Sequence, residues 1–216
     1  MSGTHRLYKR YFEVTYQDLG KRGGVWDALV SHLQRHVPSD AAVLDLGAGY
    51  CVFINRIKAG ERHALDLNPR LAEHCAPGVM PHVGDVSDLS MFRDGTLDVV
   101  FASNLLEHLD DEPLAATLAE VHRVLRSGGR FIVMQPNFTY AYRNYFDDFT
   151  HRRIFTHVSL RDVLRAEGFD VEVIRPRFLP YSMRSSLPAH PLLVKLYLWS
   201  PIKPFAGQML LVVRKP

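Results

Sequence analysis

The run Val43-Leu44-Asp45-Leu46-Gly47-Ala48-Gly49 restricts most narrowly what this chain can become. Val43 to Leu46 is an aliphatic, β-branched run suited to a buried strand, with Asp45 at its carboxyl end. Gly47 and Gly49 follow, and glycine accepts backbone angles that a Cβ forbids, so a sharp turn is expected. Val52 to Lys58 then predicts a helix closed by Ala59-Gly60. A strand, a glycine turn and a helix start present N–H groups to a nucleotide at close range. The dinucleotide fingerprint G-x-G-x-x-G does not apply, because Val52 stands where it needs a small residue.

The rest of the chain repeats this alternation. Val25, Trp26, Leu29, Val30, Leu33 and Val37 recur at helical spacing over 24–36. Strands are expected at 63–67, 81–86, 97–102, 130–134, 170–174 and 208–213, besides the first at 43–46. Leu114, Leu118, Val121 and Leu125 mark a further helix, with Gly128-Gly129 as its expected cap. Ser159 to Asp162 reads as a capping box for a helix closed by Gly168. Strands alternating with helices give an α/β, doubly wound sheet in a single domain, 1–216.

Ligands of such sheets bind beyond the carboxyl ends of the strands. Asp45 ends the first strand and Asp66 the second, Asp85 follows the third and Asn104 the fourth, at steps of 21, 19 and 19 residues. A carboxylate at Asp66 has the spacing expected of an acid that accepts both ribose hydroxyls, with Leu67 beside it. Asp85 is placed to accept the exocyclic amine of adenine while the Val86 N–H donates to the ring. Asp45 is placed to hold the glycine turn and to face an ammonium through water. For each aspartate the plainer alternative is a strand-end residue capping its own turn.

D-x-G-x-G over Asp45, Gly47 and Gly49 resembles the first motif of class I S-adenosylmethionine-dependent methyltransferases, (D/E)-x-G-x-G-x-G. Cys51 departs from it at the third glycine. Ser103 to Leu109, Val124 to Phe131 and Phe149 to Thr156 resemble the small-molecule branch of that family. The resemblance implies a Rossmann-like, mostly parallel seven-stranded sheet of order 3-2-1-4-5-7-6 with the last strand antiparallel. It implies S-adenosyl-L-methionine as cofactor, held by Asp45, Gly47, Gly49, Asp66, Leu67, Asp85, Val86 and Asn104. Members that methylate amino groups of nucleobases or glutamine often carry N-P-P-Y or D-P-P-Y at the fourth exit, whereas Asn104 is followed by Leu105-Leu106. Transfer to oxygen or carbon of a small or lipid-like acceptor is therefore expected.

A hydroxyl acceptor must lose its proton. His108, just past the fourth strand, is the first candidate base and His151, flanked by Asp147 and Asp148, the second. For both, a hydrogen-bonded structural histidine is the plainer reading. No metal site is expected: Cys51 and Cys75 match no metal or redox spacing, and no C-x-x-C occurs.

A net charge of +3 is too small to point to nucleic acid. The polar start Met1 to Arg6 does not read as a signal peptide, and Leu192 to Trp199 is too short to span a bilayer, so a cytoplasmic location is expected. Residues 1–23 read as an aromatic and basic N-terminal arm, either over the ligand or as a solvated leader. The segment 175–205, with Pro176, Pro180, Pro188, Pro191, Pro201 and Pro204 among aromatics, reads three ways. It is a lid for an apolar acceptor, a packing or homodimer contact, or a peripheral membrane contact. Rivals to the enzyme reading are a catalytically silent cofactor-binding partner subunit and a nucleic-acid methyltransferase. Monomer and homodimer are both compatible with the sequence.

Overall fold

The computed structural model describes residues 23–180 and 190–216. The arm expected over 1–23 lies, Gly23 apart, outside the described residues, as does 181–189 within the proline-rich segment.

Helix α1, Gly23–Leu33, precedes strands β1 (Ala42–Leu46), β2 (Glu61–Asp66), β3 (Val79–Val83) and β4 (Leu97–Ser103). Helix α2 (Asp111–Val124) leads into β5 (Leu125–Pro136), and a single turn, α3, covers Phe138–Ala141. Helix α4 (His157–Ala166), β6 (Asp170–Pro180), α5 (Pro191–Trp199) and β7 (Ala206–Arg214) complete the chain. The seven strands form one sheet in the order β3-β2-β1-β4-β5-β7-β6. β1 to β5 pair in parallel, and β7 runs antiparallel to both neighbours.

Strand alternation splits the core in two. Leu44, Leu46, Val100, Phe131 and Val133 face α2 and α4 through Leu118, Val121, Leu160 and Leu164. Val43, Val99, Phe101 and Ile132 face α1 through Leu29 and Leu33, together with Phe53 and Ile54. Each such fully buried side chain contributes about 1.5–3 kcal/mol. Asp45 shares the second face with Val43, so a carboxylate is driven into an apolar layer.

Parallel pairing sends the exits of β1 to β5 to one rim. Pro136 pairs with Gln208 and Pro180 with Ala206, so residues 181–205 leave and rejoin the sheet at that same rim. α5 packs back on α1, with Val194, Tyr197 and Leu198 against the second core.

Three local expectations need correction. Residues 52–58 are not a continuous helix but a run of hydrogen-bonded turns: Asn55 N–H donates to Cys51 and Arg56 N–H to Phe53. Cys51 at φ 57 breaks helical continuity there. The capping box sits three residues earlier than read, with Thr156 as N-cap exchanging hydrogen bonds with Ser159. Gly128 and Gly129 do not cap α2, which ends at Val124; they belong to β5 and pair with the carboxyl terminus through Lys215.

Candidate functional site

The cradle is built from the β1 exit. Gly47, Gly49 and Cys51 all lie in the left-handed region, at φ 72, 52 and 57. Alternate residues thus turn the backbone back over the end of β1, and the third does so although it carries a side chain. Gly47 and Ala48 both donate N–H bonds to the Leu65 carbonyl, at 2.9 and 3.0 Å. A Cβ at Gly47 would lie 2.9 Å from Leu105 Cδ1, so the β4 exit closes directly onto the turn.

Asp66 is the centre of this arrangement. One carboxylate oxygen accepts from the Gly49 N–H at 2.8 Å and the other from the Asn68 N–H at 2.9 Å. Each oxygen keeps a further lone pair for a ligand hydroxyl. Asp66 is buried, which raises its pKa against the pull of the Gly49 and Asn68 N–H groups. Asp45 is buried deeper. Burial pushes its pKa up to about 8, opposed by the Ile54 N–H at 3.3 Å and reinforced by the nearby Asp66.

Asn104 directly follows β4 at φ 50, again left-handed, an uncommon conformation that accumulates at functional sites. Its N–H donates to the Met134 carbonyl, and its side-chain oxygen accepts from Gln208 Nε2 at 3.0 Å. Asp85 stands apart: it is exposed, and its Oδ1 accepts from the Ser87 N–H and hydroxyl at 2.9 and 2.7 Å. That is the turn-capping geometry; Val86 beside it is buried and Leu67 is exposed. The structure thus brings Asp45, Gly47, Gly49, Asp66 and Asn104 to one rim, and puts Asp85 and Val86 farther along it, past β3.

Sequence reasoning missed two features here. Cys51 Sγ and Cys75 Sγ, both free thiols, are 3.4 Å apart. Gln208 reaches Asn104 from β7, across a sequence distance that no local pattern reveals.

The two candidate bases meet as well, with ring centroids 4.9 Å apart. His108 follows β4 on a 3-10 turn, Leu106–His108, and His151 lies on the segment between β5 and α4. That segment is tightly held: Tyr145 is fully buried and its hydroxyl donates to the Arg153 carbonyl at 2.6 Å. Burial pulls His108 down to about pKa 4, with His151 adding to the effect. His151 is lowered by burial too, although Asp148 opposes it. The expected gain in basicity from the flanking aspartates is thus outweighed, and Asp147 instead accepts from Asn144 Nδ2 at 2.9 Å. Glu107, to which the sequence gave no role, directly precedes His108 and is fully buried, and burial pushes it up to about pKa 8.

A pH dependence follows. A carboxyl raised in the fold holds a proton that the unfolded chain has released, so its stabilisation is full below about pH 4 and is lost as pH rises towards about 8. The buried histidines act oppositely, but only below their unfolded pKa of about 6.5. Between about pH 6.5 and 8 the carboxyls act alone, and unfolding free energy should fall by about 1 kcal/mol per pH unit or more. Urea titrations across that window check it, and Glu107→Gln should flatten the slope. A level profile in the parent chain would contradict the buried, uncharged carboxyls.

Residues 44–133 match a family model described as a methyltransferase domain. A Mycolicibacterium smegmatis protein named a probable S-adenosylmethionine-dependent methyltransferase is 30% identical over 169 residues, 76% of this chain and 59% of its own. A sarcosine/dimethylglycine N-methyltransferase of Halorhodospira halochloris is 33% identical over 119 residues, 50% of this chain and 42% of its own. The chain spans between 37% and 59% of the length of the curated relatives it matches. Among solved structures, a chain from the Haloferax volcanii complex of the Trm112 methyltransferase activator with a methyltransferase superposes at TM-score 0.70. The identity is 19%, with 96% of each chain covered. A SAM-dependent methyltransferase of Archaeoglobus fulgidus superposes at TM-score 0.65 with 21% identity, covering 88% of this chain and 94% of that one.

Proposed function

This chain belongs to the class I S-adenosylmethionine-dependent methyltransferase family, and from that premise we propose that it methylates oxygen or carbon of a small or lipid-like acceptor. The observation that carries the reading is the cradle: three left-handed residues at the β1 exit, with the Gly49 N–H bound to the Asp66 carboxylate. A Cβ at Gly47 would press on Leu105, so only glycine lets the β4 exit close onto this turn, and the carboxylates beside it suit a ribose and an ammonium.

Asp66 would hold the ribose hydroxyls, Asp45 the amino-acid ammonium through water, and Gly47 and Gly49 the backbone approach. Leu67, Asp85, Val86 and Asn104 would line the adenine side and the reacting end. The cofactor, when bound, supplies a methyl group already activated on a sulfonium. The chain supplies position and exclusion of water. His108 and His151 are unprotonated near neutrality, but a base as weak as His108 removes a hydroxyl proton poorly. An acceptor that is already nucleophilic, such as a carboxylate, a phenolate or an electron-rich carbon, asks less of them. Small-molecule acceptors are supported by the names of relatives, which include the sarcosine enzyme and a geranyl diphosphate methyltransferase. The first of these names an amine, so nitrogen is the alternative acceptor atom.

A second reading has its own observation. Leu196, Trp199, Ile202 and Phe205 expose a large apolar face on and after α5, beside the rim. That surface suits a chain that binds the cofactor and serves as a partner subunit. No helix among the described residues is long and apolar enough to cross a membrane. Incubation with methyl-labelled S-adenosylmethionine and a small-molecule extract separates the two readings. Label transferred to an extractable product is expected. Tight cofactor binding with no transfer sinks the enzyme reading and leaves the partner subunit.

A further inference from the structure

Glu107 is poorly accommodated where it sits. Its carboxylate is fully buried, and neither oxygen has a hydrogen-bond partner among the described residues. Such a group costs about 1–3 kcal/mol even when uncharged. His151 Nδ1 is buried beside it, also without a partner. One ligand-type atom from each of Glu107, His108 and His151 lies within 4.8 Å of the other two.

The surroundings orient the imidazoles. The Thr150 hydroxyl contacts Asp148 Oδ1 at 2.5 Å and His108 Nδ1 at 3.0 Å. A carboxylate accepts only, so the hydroxyl proton goes to Asp148 and Thr150 must accept from His108. Nδ1 of His108 therefore carries the ring proton, and Nε2 carries the lone pair. Asp148 Oδ2 lies 3.9 Å from His151 Nε2, on the side of that ring away from the partnerless Nδ1. Asp148 thus backs both imidazoles, through the Thr150 hydroxyl for His108 and by its charge for His151, as outer-layer carboxylates do around metal-bound histidines.

We propose that Glu107, His108 and His151 bind one divalent first-row transition-metal ion of the zinc, cobalt or manganese type. Two imidazoles and one carboxylate suit these ions; magnesium and calcium prefer all-oxygen sets, and copper(I) prefers sulfur. Ligand atoms around a tetrahedral zinc are roughly 3.4 Å apart, so the three groups need to close by at most about 1.4 Å. Ligation needs neutral imidazoles and an ionised carboxylate, so uptake of the ion releases any proton held on Glu107. His108 is half-buried, whereas Glu107 and His151 are buried. The ion clasps the β5–α4 segment to the β4 exit, where the Arg152 and Arg153 N–H groups already donate to the Glu107 carbonyl at 2.8 and 3.1 Å. This revises the sequence expectation of no metal. Adjacent Glu107 and His108, with a third ligand 43 residues on, form no recognised spacing. The inference stands on the geometry of these side chains and does not depend on methyl transfer.

The test uses the full chain, stripped with chelator and titrated separately with Zn2+ and Mg2+ by calorimetry. One equivalent of Zn2+ should bind and Mg2+ should not, with a rise in thermal midpoint on adding Zn2+. Glu107→Gln and His151→Asn should each weaken Zn2+ binding by about tenfold or more, while S-adenosylhomocysteine binding shows that the fold survives. Co2+ needs no variant: intense visible bands of a four- or five-coordinate site are expected in the parent chain. Weak bands like those of the aqua ion overturn the proposal. So does the lack of a stoichiometric Zn2+ site, or binding that both variants retain undiminished. The last outcome would move the ion elsewhere, for example to His63 and His82, whose ring nitrogens lie 3.1 Å apart.

Discussion

Gly47→Val should abolish S-adenosylmethionine binding. Gly47 holds φ 72, where a β-branched residue is strained by about 1–3 kcal/mol. Its new Cβ would also stand 2.9 Å from Leu105 Cδ1. A leucine tip can yield on an open surface, but Leu105 is buried in the first core and has little room to move. The added methyls would crowd the same side chain further and push the turn out of the shape that holds the Gly49 N–H on Asp66. An affinity loss of a hundredfold or more, about 3 kcal/mol, is expected. Gly47→Ala, with the same backbone strain and less bulk, should fall between. Calorimetry with S-adenosylhomocysteine measures both. Unaltered affinity in the valine variant would remove this turn from the binding site.

The strands were legible because parallel, doubly covered strands are continuous aliphatic runs, as Leu97 to Ala102 shows. The position of Asp66 was legible for the same reason: it ends such a run, about one β–α unit past the glycine turn. What escaped notice depends on contacts between distant segments. Cys51 does not itself advertise a left-handed backbone, and only its place at the third glycine of the family motif hints at one. Nothing local to Asn104 announces Gln208, and nothing near His108 announces Thr150 and Asp148. Glu107 shows the limit most plainly. Between Leu106 and His108 it reads as a surface acid, and packing of the β5–α4 segment over it is what removes it from water. The helix expected over 52–58 failed for a related reason: its apolar content is real, with Phe53, Ile54 and Ile57 in the second core, but the left-handed residue before it dictates turns.

Asp66→Ala should weaken cofactor binding by about 1–3 kcal/mol, roughly 5- to 150-fold. Two causes contribute and can be separated. The substitution takes the acceptor from the Gly49 and Asn68 N–H groups, so part of any loss is a loosened cradle. The remainder is the hydrogen bonding of ribose hydroxyls to lone pairs that those amides leave over. An S-adenosylhomocysteine analogue lacking both ribose hydroxyls distinguishes them. If Asp66 binds the hydroxyls, their removal costs affinity in the parent chain and little in Asp66→Ala, and the two losses do not add. If Asp66 only shapes the turn, removing the hydroxyls costs the same in both proteins and the losses do add. Additivity would keep the carboxylate as a scaffold for Gly49 and take away its role as the ribose acceptor, a distinction that the affinity of Asp66→Ala alone cannot make.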